Sequence, residues 1–268
     1  MNSLIHSYRW RPPSGVVQRP SGIYILHGTG EHSARYEQLA LRLAAAGWLV
    51  GAHDQPGHGR SAGKRGLIDP SGALATQTVI QIHAFANEIG SMPIVFGHSL
   101  GGVVATELVL QHGLCIQGLV LSAPAFVPIT SRLDRIKLRL LTLIAPKLCL
   151  DLGYEPNRLT HDKNVQKQAH ADPLIHSFKS TTLVNWLIQS GQKSLDLAAN
   201  LEIPTLLLIA GDDLIADSDK TRLFASRVTA EILTSVEYEG FYHELLNETP
   251  ERRERVLIDI ENWLAEFG

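Results

Sequence analysis

The chain has 268 residues, of which 44% are apolar and 19% are charged, and its formal net charge is −3. This is enough material for the core of one α/β domain with an insertion, and the near-neutral charge argues against nucleic acid as a partner. The two cysteines, Cys115 and Cys149, fit a reducing compartment and do not indicate a disulfide framework.

Short apolar runs alternate with helical patterns, which predicts a mostly parallel sheet with helices on both faces. Strands are predicted near 4–10, 22–27, 48–53, 93–98, 118–123, 204–210 and 233–238, the first of them in an antiparallel edge hairpin. Helices are predicted near 33–46, 71–90, 100–112, 216–228 and 250–266. Residues 125–200 break the alternation, so they are predicted to form a helical lid inserted into a core made of residues 1–124 and 201–268.

A glycine-containing loop, His27–Gly30, follows the second predicted strand. Glycine lets the backbone pass close to a ligand and aim an amide at developing negative charge. The amide of Thr29 in this loop is therefore one predicted oxyanion donor. The other is the amide of Leu100, which follows Ser99, the nucleophile predicted below.

The sequence Gly97-His98-Ser99-Leu100-Gly101 lies between a predicted strand and a predicted helix. Strand, G-x-S-x-G turn and helix together are typical of a nucleophile elbow, in which the flanking glycines avoid Cβ clashes in a tight turn. Ser99 is the predicted nucleophile, held at the positive end of the following helix.

The predicted lid contains a dense apolar stretch, residues 136–150, in which Leu140, Leu141 and Ile144 are expected to contact an acyl chain, with Trp186 adding to that surface. Basic residues interrupt or flank the stretch: Arg132, Arg135, Lys137, Arg139 and Lys147. An apolar face with basic neighbours can shelter an acyl chain or lie on an anionic membrane surface, and it can equally pack on the core as an ordinary helix.

An acid and a histidine follow the last two predicted strands. His243 comes just after the strand near 233–238 and is the predicted base. Three aspartates share the loop after the strand near 204–210, and Asp213 is preferred as the acid over Asp212 and Asp217. The chain order serine, acid, histidine is the order of the α/β-hydrolase fold.

Several of these motifs resemble one group of proteins, the monoacylglycerol lipases and lysophospholipases that are filed with the serine aminopeptidases among the α/β-hydrolases. The motifs that carry the resemblance are His27–Tyr36, Asp54–Ser61, Gly97–Gly102, Asp172–Leu174 and Glu239–Glu244. The resemblance spans residues 7–267. It implies Ser99, Asp213 and His243 as the catalytic residues, although the acid loop is one residue shorter than is common in the group.

The resemblance and the residues together predict a serine hydrolase of lipid carboxylic esters that works through an acyl-enzyme, with monoacylglycerols or lysophospholipids as its substrates. A thioesterase or an aminopeptidase could use the same residues. An aminopeptidase would need acidic lid residues for the substrate's amino group, whereas the lid stretch is basic and apolar. A hydrolase fold used only as a binding module is the non-enzymatic alternative.

No metal or organic cofactor is expected, because the closely spaced histidine pairs, such as His27 with His32, fit no metal motif. The first seven residues carry no basic segment followed by an apolar stretch, and no apolar run reaches the ~18 residues of a membrane span. The expected location is therefore the cytoplasm, with peripheral membrane contact through the lid. The oligomeric state does not follow from the sequence.

Overall fold

A seven-stranded sheet is the frame of this computed structural model, which describes residues 4–67, 73–129 and 131–267. In chain order the strands are β1 (Ser7–Trp10), β2 (Gly22–Leu26), β3 (Leu49–His53), β4 (Ile94–His98), β5 (Gly118–Ser122), β6 (Cys149–Asp151), β7 (Phe178–Ser180), β8 (Thr205–Ala210) and β9 (Leu233–Tyr238). The large sheet has the order β1-β3-β2-β4-β5-β8-β9, while β6 and β7 pair separately. All pairs in the large sheet are parallel except the antiparallel edge pair β1 and β3. The first strand thus lies at an antiparallel edge, but the predicted hairpin is wrong, because β1 pairs with β3 and not with β2.

Eight α-helices accompany the strands in the described residues. They are α1 (Glu37–Ala45), α2 (Ala73–Ile89), α3 (Leu100–Leu110), α4 (Arg132–Ile144), α5 (Lys163–Ala171), α6 (Thr181–Leu197), α7 (Ser218–Arg227) and α8 (Pro250–Leu264). Short 3₁₀ helices lie at Ser33–Tyr36, Pro156–Arg158, Ala198–Asn200, Leu245–Asn247 and Ala265–Phe267. The first two residues of the helix predicted at 71–90 lie outside the described residues.

Helices cover both faces of the sheet, so the central strands are buried throughout. On one face, Phe85 of α2 and Val103 of α3 share a core with Leu195 of α6. On the other face, Leu43 of α1 and Trp263 of α8 belong to a second core. Burial on both faces is why these strands read as continuous apolar runs. The predicted α/β fold with a mostly parallel sheet is confirmed.

The segment between β5 and β8 contains α4, α5 and α6, together with the two-stranded β6–β7 ribbon that the sequence analysis missed. These strands have three residues each, too few to show an alternating pattern. Helix α6 is an integral part of the core: Leu183 and Leu195 are buried, and a Cβ on Gly191 would lie 1.9 Å from the carbonyl oxygen of Phe126. Helix α4 instead exposes large apolar side chains, Leu140 and Ile144 among them.

Among the residues that the structure describes, no helix has both the length and the apolar character needed to cross a membrane.

Close backbone approach fixes the turn between β4 and α3. A Cβ at Gly101 would lie 2.1 Å from the carbonyl oxygen of Leu26 on β2. A Cβ at Gly97 would lie 2.6 Å from the carbonyl oxygen of Gly101. The first turn of α3 therefore rests directly on the sheet, and only glycine permits this contact.

We expect Gly101→Ala to lower the free energy of unfolding by roughly 3 kcal/mol or more, because the new methyl group must displace backbone. The matched variant is Gly113→Ala, where φ is +64° but no atom lies within 4 Å of the added Cβ. That substitution should cost only about 1–2 kcal/mol of conformational strain. Urea unfolding of both variants measures the difference, and equal losses would contradict the packing argument.

Candidate active site

Ser99 occupies the turn between β4 and α3 with φ 52° and ψ −114°, an unusual conformation for a residue with a side chain. Its amide donates to the carbonyl oxygen of Ser122 (3.1 Å), and its carbonyl oxygen accepts from the amide of Ala125 (3.2 Å). These bonds from β5 and the residues after it hold the strained turn in place. The hydroxyl consequently projects from the carboxyl edge of the sheet, where ligands collect in open α/β folds.

His243 lies between Ser99 and Asp213 in a continuous hydrogen-bonded chain. Its Nε2 is 2.8 Å from Ser99 Oγ, and its Nδ1 is 2.6 Å from Asp213 Oδ2. The carboxylate can only accept, so Nδ1 carries the proton and Nε2 accepts from the serine hydroxyl. The side chains of His243 and Asp213 are 4% and 3% exposed, which keeps bulk water away from both bonds.

The neighbouring aspartates are placed differently. Asp213 Oδ1 accepts from the amides of Ile215 (2.7 Å) and Ala216 (3.0 Å), which fixes the carboxylate toward His243. Asp212 is exposed. Asp217 caps α7 by accepting from the amides of its first turn. The structure therefore brings Asp213, the preferred acid, to the histidine.

Electrostatics make His243 a stronger base than free imidazole. Burial lowers the pKa of His243, but the charge and hydrogen bond of Asp213 outweigh burial and leave that pKa raised. Burial likewise raises the pKa of Asp213, and the interaction with His243 and two backbone amides reverses the effect, so that pKa is lowered. The pair thus favours a carboxylate beside a histidine that accepts a proton readily.

His98, which the sequence analysis gave no role, lies beside His243 with ring centroids 5.0 Å apart and ring planes inclined by 54°. Burial, followed by the charge of His243, lowers the pKa of His98 to about 4. The His98 ring therefore stays neutral near pH 7 and adds no positive charge that would oppose protonation of His243.

The predicted oxyanion donors are the amide of the residue after Ser99 and an amide of the loop that follows β2. The amide of Leu100 begins α3, and Thr29 lines the same cavity as Ser99 and His243. Within the described ranges, neither of these two amides has a hydrogen-bond partner, and the buried hydroxyl of Thr29 has none either. Unpaired donors beside a serine hydroxyl are the arrangement that binds an oxyanion.

A buried cluster that the sequence analysis missed supports the Thr29 loop. Glu31 accepts from the amide of Gly28 (2.6 Å) and from the hydroxyl of Tyr36 (2.7 Å). Arg35 donates to Glu31 (2.6 Å) and forms two bonds with Glu244 (2.7 and 2.6 Å). Burial raises the pKa of Glu31, but the charge of Arg35, the neighbouring histidines and the Tyr36 hydrogen bond together outweigh burial and bring that pKa to about 2. The i, i+4 spacing of Glu31 and Arg35 in the first motif is the signal that could have revealed the pair.

Asp54 holds together the loops that carry Ser33 and Arg60. Its carboxylate accepts from the amides of Ser33 and Arg60 (2.8 Å each) and from the Tyr8 hydroxyl (3.1 Å). Its neighbour along the motif, His58, lies with its ring centroid 4.9 Å from that of His176. In the described part of the chain, no group of three or more His, Cys, Asp or Glu side chains is arranged to hold a metal ion.

The cavity above Ser99 has a volume of about 300 Å³. Its apolar lining comes from Ala125, Pro128, Ile129, Leu152, Tyr154, Leu159, Val184, Leu187, Leu214 and Ile215. The insert between β5 and β8 thus supplies most of the apolar wall, and the polar wall contains Glu31, Arg35 and Glu244.

The structure does not bring the predicted acyl contacts Leu140, Leu141, Ile144 and Trp186 to this cavity. The three α4 residues are exposed because α4 turns its apolar face outward. On α6, Val184 and Leu187 are three residues apart and share the face toward Ser99, so Trp186 points elsewhere. Trp186 instead lines a separate groove of about 1170 Å³ beside α2 and α3. The side chain of Arg132, one of the predicted basic residues, lies outside the described part.

Known proteins resemble this chain over nearly its whole length. The sequence profile of the family described as serine aminopeptidase, S33, matches residues 19–250. The monoacylglycerol lipase of Mycolicibacterium smegmatis is 31% identical over 265 residues, 96% of this chain and 91% of that protein. An uncharacterized abhydrolase domain-containing protein of Dictyostelium discoideum is 30% identical over 96% of this chain, which spans only 27% of that protein. The crystal structure of Paleococcus ferrophilus monoacylglycerol lipase superposes with a TM-score of 0.87 at 30% identity, covering 99% of this chain and 100% of that one.

We expect a nuclear magnetic resonance titration to find the pKa of His243 above the ordinary value of 6.5. In Asp213→Asn the carboxylate charge is lost while burial remains, so the pKa of His243 should fall below 6.5. Asp212→Asn is the control and should leave the titration unchanged. A larger fall in Asp212→Asn would mean that the neighbouring aspartate is the one that charges the histidine.

Proposed function

This chain belongs to the serine aminopeptidase S33 family, and we propose that it hydrolyses lipid carboxylic esters, monoacylglycerols or lysophospholipids, with Ser99 as its nucleophile. The observation that carries the proposal is the hydrogen-bonded chain from Asp213 through His243 to Ser99 beneath a largely apolar cavity. Its relatives named monoacylglycerol lipase support ester hydrolysis.

The proposed reaction begins when Ser99 Oγ attacks the ester carbonyl and His243 Nε2 takes the hydroxyl proton. Asp213 holds the ring and stabilises the imidazolium. The amides of Thr29 and Leu100 donate to the oxyanion of the tetrahedral intermediate. His243 then gives its proton to the leaving alcohol, and water activated by the same histidine releases the fatty acid from the acyl-enzyme.

The cavity lining favours an acyl ester over an aminoacyl amide. An aminopeptidase needs an anionic group for the substrate's ammonium. Each described glutamate of the cavity is already paired with an arginine: Glu31 and Glu244 with Arg35, and Glu155 with Arg158. The remaining wall is largely apolar and matches an acyl chain. A thioester could enter the same cavity, and no contact favours it over an oxygen ester.

Within the insert, residues 125–200, the part that carries α4 is proposed to be the lid surface through which the enzyme meets lipid. Helix α4 exposes Leu133, Ile136, Leu140, Leu143 and Ile144 beside the exposed cations Lys137 and Arg139. Apolar side chains next to basic ones favour an anionic lipid surface. In this arrangement the α4 leucines act at the membrane, and the acyl chain lies between α6 and the loops over Ser99.

Ser99→Ala should remove both hydrolysis of p-nitrophenyl butyrate and labelling by a fluorophosphonate probe. Loss of the nucleophile is expected to cost on the order of 10⁴-fold or more in turnover. Ser226→Ala, at an exposed serine of α7, is the matched control and should behave as wild type. Near-normal turnover by a folded Ser99→Ala protein would refute the assignment.

The membrane role of α4 predicts that substitutions on this helix slow hydrolysis of a lipid substrate but not of a soluble ester. Leu140→Glu with Ile144→Glu should reduce hydrolysis of monoacylglycerol in anionic vesicles at least 10-fold, because each apolar side chain contributes about 1.5–3 kcal/mol when buried in lipid. Hydrolysis of soluble p-nitrophenyl acetate should be unchanged. Leu41→Glu, at an exposed leucine of α1, controls for the added charge. Equal loss on both substrates would contradict the role.

A further inference from the structure

Residues 158–161, here called the strap, contact both loops that carry partners of Ser99. Arg158 Nη2 donates to the carbonyl oxygen of Leu214 (2.5 Å), the residue after Asp213. The amide of Glu244, the residue after His243, donates to the carbonyl oxygen of Leu159 (2.9 Å). Thr160 Oγ1 donates to the carbonyl oxygen of Asn247 (2.6 Å). A segment of the insert is thereby bound to the acid loop and to the base loop at once.

Glu248 is the centre of this contact. Its side chain is fully buried, and Oε1 accepts from the amide of Tyr242 (3.0 Å) and from Nδ1 of His161 (2.7 Å). Oε2 accepts from the amides of His161 and Thr249 (3.3 Å each). A buried carboxylate is stable only when such donors surround it, and charge-assisted bonds are stronger than neutral ones.

Ring stacking strengthens the contact between the strap and Tyr242. The His161 ring lies on the Tyr242 ring with centroids 3.7 Å apart and planes inclined by 29°. Arg252 Nη1 donates to the carbonyl oxygen of Gly240 (2.8 Å) and forms an ion pair with Glu248 Oε2 (3.7 Å). Tyr242, directly before His243, is therefore held by the strap and by Glu248, while Glu244, directly after it, is held by Arg35.

We infer that Glu248 is a positioning residue, which fixes His243 against Ser99 and Asp213 by tying Tyr242 to His161 of the strap. The inference rests on the proposed function of Ser99 and His243. Neither Glu248 nor His161 lines the cavity. Their contribution is therefore to the geometry of proton transfer and not to substrate binding. Misplacement of reacting groups by about 1 Å can cost ~10²-fold in rate.

The test compares Glu248→Gln and His161→Phe with wild type on p-nitrophenyl butyrate. Glu248→Gln keeps the shape and removes the charge, whereas His161→Phe keeps an aromatic ring on Tyr242 and removes the Nδ1 donor. We expect kcat to fall roughly 10- to 100-fold in Glu248→Gln and less in His161→Phe, with KM within about two-fold of wild type. The double variant should be no slower than Glu248→Gln alone, since both changes break one contact.

A second readout separates positioning from stability. A loosened contact between His243 and Asp213 should move the acid limb of the kcat–pH profile to lower pH in Glu248→Gln. Glu254→Gln, on α8 and paired with Arg42 at the surface, is the matched control and should keep the wild-type kcat and pH profile. If Glu248→Gln does not fold, His161→Phe carries the test alone, because its ring is partly exposed.

A lower melting temperature with an unchanged kcat and pH profile would overturn the inference, as would an effect on KM alone. Fluorophosphonate labelling distinguishes failure of the positioning role from failure of the proposed function. Wild-type labelling that depends on Ser99, with Glu248→Gln labelled at the wild-type rate, refutes only the positioning role. A wild-type protein that is not labelled at Ser99 refutes the proposed function, and this inference with it.

Discussion

The geometry of the candidate active site depends on the ion pairs that the buried Arg35 guanidinium makes with two carboxylates. It neutralises Glu31, which holds the Thr29 loop, and Glu244, which follows His243. Both carboxylates are buried, and an uncompensated buried charge is strongly destabilising. One side chain from the start of the domain therefore joins the Thr29 loop to the His243 loop, and neither loop can move without breaking charged hydrogen bonds.

One part of the insert, residues 158–180, is hydrogen-bonded to the core around the site, and another part, α4, is not. His32 bonds to Asp172 (2.8 Å), the amide of His176 donates to Gly30 (2.8 Å), and the amide of Ser180 donates to Gly66 (2.8 Å). With the strap, these contacts tie residues 158–180 to the core. Helix α4 is held largely through Thr142 and Thr181, near its C-terminal end. Helix α4 can therefore move with the loss of fewer hydrogen bonds to the core than residues 158–180.

Local sequence patterns predict part of the fold and part of the candidate site. The glycines around Ser99 and the strand before His243 are short-range signals, so both residues and the parallel sheet could be predicted. Asp213 and Asp212 are adjacent and chemically identical, and only the direction in which the loop turns separates them. The α4 periodicity indicated an apolar face but not which way it points, and Trp186 was expected where Val184 and Leu187 lie. Glu248 lies outside the recognised motifs, and one of the residues that donate to it, His161, is 87 residues away.

The parallel sheet also determines when during folding the site can exist. Ser99 and His243 are separated by 144 residues and come from β4 and β9, and β9 is the last strand of the chain and an edge of the sheet. Contacts of such sequence separation pay a large loop-closure entropy and form slowly. Asp213 and His243 meet only after β9 has paired with β8, so a chain that has folded its central strands but not this edge has an elbow without a base. The rate of covalent labelling of Ser99 during refolding would thus report when β9 pairs with β8.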